Sequence, residues 1–191
     1  MLRDLARKSR SYRIFDEKYK LKRDDLVDLI ELTRYCPCGK NNQSLRFIPI
    51  YQEETLREIY PCLSWAAYLN DWNGPIKGQR PTGIILIVSK NGKLDDPIIA
   101  ADMGIFSQTI MLGAVEKNLG GCMIRAINRS RIRQIINLPQ DYTIHMALAI
   151  GKPTQEVIIE DINEGDDIKY WMDKDNTHHV PKIKLNDLII E

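Results

Sequence analysis

Leu26, Leu29, Ile30 and Thr33 recur at helical spacing, which predicts a helix over residues 24–35. Asp24 or Asp25 is placed to cap it, and Pro37 to end it. A strand is expected at Leu45–Tyr51. A second helix follows over Glu54–Leu63, with Leu56, Ile59, Tyr60 and Leu63 on one face. Gly83–Lys90 (GIILIVSK) is apolar without alternation, the pattern of a strand covered on both faces. Asn91-Gly92 turns the chain, and Asp95 or Asp96 then caps a helix that opens on Pro97 and runs to about Asn118. That helix is apolar nearly all round, so it belongs at the centre of a core or at a subunit interface. Its small residues Gly104, Ser107, Gly113 and Ala114 permit close approach of another helix, and Asp102 and Gln108 are expected to be satisfied buried polar groups.

Gly120-Gly121 is read as the stop of this helix. A strand at Cys122–Ala126, a short helix capped by Asn128 and a strand at Thr143–Ile150 complete the patterned region. Residues 2–8 suggest a short basic helix or arm. Ser64–Pro81 gathers Trp65, Tyr68 and Trp72 among glycines and prolines, as either a lid over a flat ligand or a packed surface loop. From residue 154 onward the chain is charged with sparse apolar positions. We expect one domain over residues 1–191, with 154–191 a tail that wraps the domain or a partner subunit.

Length and composition narrow the classes. A chain of 191 residues with 43% hydrophobic and 28% charged residues can build an ordinary globular core. Its 27 basic and 26 acidic residues leave a net charge of +1, so nothing global argues for nucleic acid or an acidic membrane surface. No apolar run suggests a membrane span and no leader pattern opens the chain, so a cytoplasmic location is expected. Cys36, Cys38, Cys62 and Cys122 lack metal-ligand spacing, so free thiols are expected and no metal. The adjacent His178 and His179 are expected in a surface turn.

Phosphate-binding glycine loops, a Gly-x-Ser-x-Gly elbow and histidine zinc motifs are all missing. No acid–base constellation stands out, so no catalytic side chain is assigned; chemistry carried by a bound cofactor is the natural alternative. Arg10 and Arg13 flank Ser11 and Tyr12 and offer forked donors to an anion, or form a solvated basic turn. The loop Pro37–Phe47 (PCGKNNQSLRF) is polar and rich in amides, with Gly39 read as permitting unusual backbone angles. It is either a plain connection or a ligand-facing loop. Lys182 and Lys184 add cations near the end.

Taken together these segments resemble the FMN-dependent nitroreductase family. Arg10-Ser11-Tyr12-Arg13-Ile14-Phe15 is similar to its Arg-Ser-x-Arg-x-Phe motif, and Pro37-Cys38-Gly39-Lys40-Asn41-Asn42-Gln43 with Arg46-Phe47 to its Pro-Ser-x-x-Asn-x-Gln-Pro-Trp-x-Phe loop. Asp102 to Gln108 with Leu119-Gly120-Gly121-Cys122, the strand end Leu148–Pro153, and His179–Lys182 with Leu185 follow in the family's order. The resemblance implies an α+β fold, with a central, mostly antiparallel sheet flanked by helices, and an intertwined homodimer with FMN at the interface. It implies that Arg10, Ser11 and Arg13 hold the FMN phosphate and ribityl chain, with Lys182 and then Lys184 completing the phosphate site. Cys38, Gly39, Asn41 and Gln43 would approach the cofactor, partly from the partner. Arg125 and Ala126 would lie by the flavin ring, with Arg125 stabilising its reduced form. The implied activity passes a hydride from NADH or NADPH, a transient donor, through flavin to an organic acceptor such as a nitroaromatic or quinone.

The chain departs from the family pattern at Ser9 (often Arg), Cys38 (usually Ser), Ser44-Leu45 (Pro-Trp) and Arg125-Ala126 (Gly-Gly or Glu-Gly). A non-catalytic flavin sensor or store is the alternative function. A thiol-regulated binding protein using Cys36 and Cys38 as a redox pair is a third.

Overall fold

A computed structural model describes residues 1–190. Six helices and seven strands run in the order α1 (Leu2–Lys8), α2 (Arg23–Glu31), β1 (Leu45–Ile50), α3 (Glu53–Ile59), β2 (Gly83–Lys90), α4 (Pro97–Glu116), β3 (Gly120–Ile124), α5 (Arg129–Ile135), β4 (Tyr142–Gly151), β5 (Val157–Ile162), β6 (Trp171–Met172), β7 (His178–Ile183) and α6 (Leu185–Leu188). A four-stranded sheet has the order β1-β2-β4-β3, antiparallel throughout. This is the expected α+β architecture.

Strand β2 lies inside the sheet, and its alternation divides the core. Ile85 and Ile87 join Leu26 and Leu29 of α2 and Met103, Phe106 and Ile110 of α4 on one face. Ile84, Leu86 and Val88 join Leu56 and Ile59 of α3 and Ile132 of α5 on the other. Each fully buried aliphatic side chain of this kind contributes about 1.5–3 kcal/mol. A register shift between Ile87 and Val88 leaves His145 as the extra residue of β4. Its Nε2 lies 2.6 Å from Ser89 Oγ, and both residues are buried. Burial, with Arg129 and Arg125 adding to it, pushes the imidazole's pKa down. Ser89 has no exposed surface, so this Ser–His pair closes a core bulge and presents no nucleophile.

By length and composition α4 would suffice to cross a membrane, which the chain pattern did not suggest. Here its apolar side chains fill one face of the sheet core. Asp96 caps it, accepting from the N–H groups of Ile98 and Ile99 at 2.8 and 3.1 Å. Gly113 is where the 3-10 turn that follows α2 comes close: a Cβ there would stand 2.2 Å from Leu32 Cδ1. Gly104, with Ala101, Ile105 and Gln108, lies instead on an exposed stripe. Gln108 is thus not the buried polar group expected. Asp102 is buried but only half satisfied, as its Oδ2 has no partner.

Other expectations need correction. Helix α2 begins at Arg23, not Asp24, and Asp25 caps it from inside by accepting Lys22 N–H at 2.7 Å. Both early helices finish as 3-10 turns, at Leu32–Tyr35 and Tyr60–Cys62. Gly120-Gly121 does not stop α4. The left-handed residue is Asn118 (φ 57°), and Leu119 N–H returns to Ala114 O at 2.8 Å. The two glycines open β3, where bulk is forbidden: a Cβ on Gly120 would meet the Tyr12 ring at 2.5 Å, and one on Gly121 the Ala149 carbonyl at 2.2 Å. The tail forms a second sheet, β5-β7-β6, with β5 and β7 parallel.

Candidate functional site

The arm 9–15 is laid along the main sheet. Ser11 bridges Gly121 in parallel, Tyr12 N–H donates to Gly121 O at 3.0 Å, and Phe15 bridges Pro153. The room vacated by Gly120 and Gly151 admits Tyr12 and Phe15, and Phe15 is 1% exposed. Arg10, Ser11 and Arg13 are therefore held at the β3 edge by backbone pairing.

The tail supplies the opposite wall. Alternation along β7 puts His178, Val180 and Lys182 on one face, and all three line a cavity of about 290 Å³ with Ser9, Arg10, Ser11, Arg13 and Tyr170. Arg13 is buried; its Nη1 donates to Ser11 O at 3.1 Å and lies 3.0 Å from His178 Nε2, and its guanidinium sits 4.9 Å from the centre of the Tyr170 ring. Gln155 Oε1 accepts Arg13 N–H at 3.0 Å. Among the described residues no carboxylate lines this cavity. Arg10 Nε, Arg13 Nε and His178 Nδ1 are buried without partners. A pocket walled by three cations fits an anion with several acceptor oxygens, and phosphate is the clear instance.

His178 and His179 do not occupy a surface turn. On a strand they point to opposite faces: His178 is 1% exposed beneath Tyr170, and His179 stacks flat on Trp171 at 3.8 Å. His179 Nδ1 is paired with Glu160 at 2.6 Å, and its Nε2 stands 3.5 Å from Asp173. His178, Tyr170 and Gln155 were missed in the sequence. Reading His178–Lys182 as a strand would have set His178 beside Lys182, two steps of alternation away.

Burial pushes the His178 pKa down to about 4, and the Arg13 and His179 charges add to the effect. Tyr170 and Arg13 face it, and among the described residues no carboxylate does. Below the ordinary value of 6.5 the unfolded chain takes up a proton that the folded one refuses. Stability should thus be complete above about pH 6.5 and fall toward pH 4, by at most about 3 kcal/mol. Urea titrations across that window test this: His178→Phe should show a shallower slope than wild type, and equal slopes would refute it.

The loop 37–47 is elsewhere in the same chain. Cys38, Asn41 and Gln43 line a separate cavity of about 460 Å³, floored by Ile30, Leu45, Phe47 and Phe106. Gly39 N–H donates to Asp102 Oδ1 at 2.8 Å, and a Cβ on Gly39 would stand 2.5 Å from Ile98 Cγ2. Gly39 serves close approach to α4, not unusual angles. The positive φ values fall on Lys40, Asn41 and Gln43 (53°, 53° and 47°). Three of the four residues Lys40–Gln43 are thus non-glycine residues in the left-handed region, a conformation that costs energy unless the surrounding structure holds it. Cys36 Sγ lies 3.2 Å from Thr109 Oγ1, and Cys38 Sγ 3.9 Å from Asn41 Oδ1; both thiols are free.

The remaining expected residues lie outside both cavities. Arg125 is exposed just after β3, and its carbonyl accepts from Arg129 Nη2 at 3.0 Å; Ala126 O accepts Ser64 N–H at 2.9 Å. Lys184 falls one residue past β7, and its Nζ donates to Asn163 Oδ1 at 3.0 Å. The aromatic segment packs on itself, Trp65 edge-on to Trp72 at 6.5 Å. Tyr68 reaches Tyr170 at 5.0 Å and so touches the roof of the arginine cavity.

Residues 6–152 match the family described as the nitroreductase family. A search of curated proteins finds no match. Among solved structures, the chain is similar to a nitroreductase family protein from Clostridium novyi NT, with 21% identity, 81% of this chain and 86% of that one covered, and a TM-score of 0.65. A protein from Exiguobacterium sibiricum solved in complex with FMN has 18% identity over 81% and 89% of the two chains, with a TM-score of 0.66. The FMN and NADPH-dependent nitroreductase NfnB of a Sphingopyxis strain has 17% identity over 81% and 89%, with a TM-score of 0.61.

Proposed function

The chain belongs to the nitroreductase family, and from that premise we propose that it is an FMN-dependent oxidoreductase that takes a hydride from NADH or NADPH and passes it to an organic acceptor such as a nitroaromatic or quinone. The observation that carries this reading is the cavity in which Arg10, Arg13 and Lys182 converge with no acidic side chain among the described residues. Bound FMN would supply the redox chemistry, accepting and returning a hydride. The protein's residues bind, orient and exclude water. Arg10, Ser11, Arg13 and Lys182 would hold the phosphate and ribityl chain. Lys184 would act as a further cation after release from Asn163.

Cys38, Gly39, Asn41 and Gln43 line a different face of the chain, which supports a homodimer in which one protomer's loop meets its partner's cradle. The exposed stripe of α4, Ala101, Gly104, Ile105 and Gln108, supports the same arrangement. In that assembly Arg125 and Ala126 would approach the flavin ring, Arg125 adding positive charge that favours its reduced anion. The tail sheet remains part of a single 1–191 domain that also reaches the partner, in a cytoplasmic protein.

The purified protein should be yellow, and NADH or NADPH should bleach the colour without oxygen. A colourless protein that FMN does not stabilise against heat would overturn the proposal. A yellow protein that neither nucleotide bleaches would point to a flavin store or sensor.

A further inference from the structure

Cys36 and Cys38 both line the cavity of about 460 Å³, together with Ile30, Leu45, Phe47 and Phe106. Both thiols are free and half-buried. Cys36 Sγ donates to Thr109 Oγ1 at 3.2 Å, and that hydroxyl in turn donates to Ile105 O at 2.9 Å. Cys38 Sγ reaches Asn41 Oδ1 at a loose 3.9 Å. The backbone is extended at both residues (φ −82°, ψ 139° and φ −143°, ψ 158°), with Pro37 between them. Two extended steps set the Cα atoms about 6–7 Å apart, at the far end of the span that a disulfide closes, and the proline ring resists the bend that would shorten it. An ion bridging two sulphurs at about 2.3 Å each needs them only within about 4.6 Å of one another, which side-chain rotation can supply. Cys62 and Cys122 lie on the other face of the sheet, where burial pushes both thiols up.

We propose that Cys36 and Cys38 form a two-sulphur site for a soft monovalent metal ion, copper(I), on the wall of this cavity. The donor set selects the ion. Among the described residues no group of three or more His, Cys, Asp or Glu side chains could hold a metal, so a four-donor zinc site has no basis here. Magnesium and calcium want several oxygens and water, and this floor is aliphatic and aromatic. Thiolates favour copper(I), which two of them satisfy. On binding, each thiol releases its proton to solvent and forms one S–Cu bond; the oxidation state of the metal is unchanged and no S–S bond forms. The resulting unit carries one net negative charge. Arg46 lines the same cavity, donates to the Gln43 and Leu45 carbonyls at 2.6 and 2.8 Å and has no carboxylate partner among the described residues, so its charge is available to balance that unit.

The test titrates the reduced full-length protein, without oxygen, against the coloured copper(I)–bicinchoninate complex. Wild type should take up one copper per chain and bleach the colour. Cys36→Ser and Cys38→Ser should each weaken binding by about a hundred- to ten-thousandfold, the gain that joining two ligands confers. Either variant competing as well as wild type, or one copper shared between two chains, overturns the proposal. Alkylation of the wild type, read by peptide mass spectrometry, needs no variant to fold. Copper(I) should protect both Cys36 and Cys38, while zinc at the same concentration protects neither. Protection of one thiol alone, or equal protection by zinc, overturns the two-sulphur assignment. Flavin binding is a separate result: a protein that takes copper(I) but no FMN defeats the functional proposal and leaves this site standing.

Discussion

Arg13→Lys is expected to weaken FMN binding by about ten- to a hundredfold although it preserves the charge. Each lost hydrogen bond to a charged group is worth about 1.5–3 kcal/mol, and tenfold in affinity is about 1.4 kcal/mol. The arginine uses its plane in three ways at once. Nη1 donates to Ser11 O, it also meets His178 Nε2, and the face lies under Tyr170. A lysine ammonium is a compact point charge on a flexible stem and cannot occupy those directions together. His178 would then lose its donor partner and the tail its anchor to the arm. A thermal melt should accordingly show a small loss of stability beside the large loss of affinity. Fluorescence titration decides the matter: wild-type affinity in a folded Arg13→Lys protein would show that the cavity does not use the fork.

Gly121→Ala is expected to destabilise the fold by about 3–5 kcal/mol, at the severe end for a single methyl group. The added Cβ would stand 2.2 Å from the Ala149 carbonyl and 3.1 Å from Met111 Sδ. A methionine tip can move aside, but the carbonyl belongs to β4 inside the sheet and cannot shift without breaking its ladder with β3. The same residue pairs with Ser11 and accepts from Tyr12 N–H, so any adjustment is passed to the arm that carries Arg10 and Arg13. At about 2–4 °C per kcal/mol for a chain of this size, the melting temperature should fall by about 6–20 °C. A melt within about 2 °C of wild type would show that the strand has slack there.

Much of the scaffold was legible in the chain. Continuous apolarity marked β2 as covered on both faces. The capped apolar run marked α4, and the short helix after Asn128 was placed by its cap, whose side chain accepts Arg131 N–H at 3.1 Å. These are local statements, written in periodicity and capping. The tail defeated that method. Its strands are short, its apolar positions sparse, and its sheet depends on pairing between segments about twenty residues apart, such as Val157 with His178. The histidine pair looked like a turn for the same reason.

Read along the chain alone, Arg10, Ser11 and Arg13 fall in one motif, amides gather in the loop 37–47, and lysines stand in the tail. The sequence by itself also determined the elements that carry them, because helix and strand periods are properties of neighbours in the chain. Folding brings Lys182 and His178 to the arginines and turns Lys184 away to Asn163. It alone decided that Gly121 serves a close strand approach and that the loop's strain falls on Lys40, Asn41 and Gln43. The physical reason is that hydrogen-bond partners, steric room and burial are relations between distant segments. They come into being when the arm crosses the sheet edge and β7 lays alternate side chains against it.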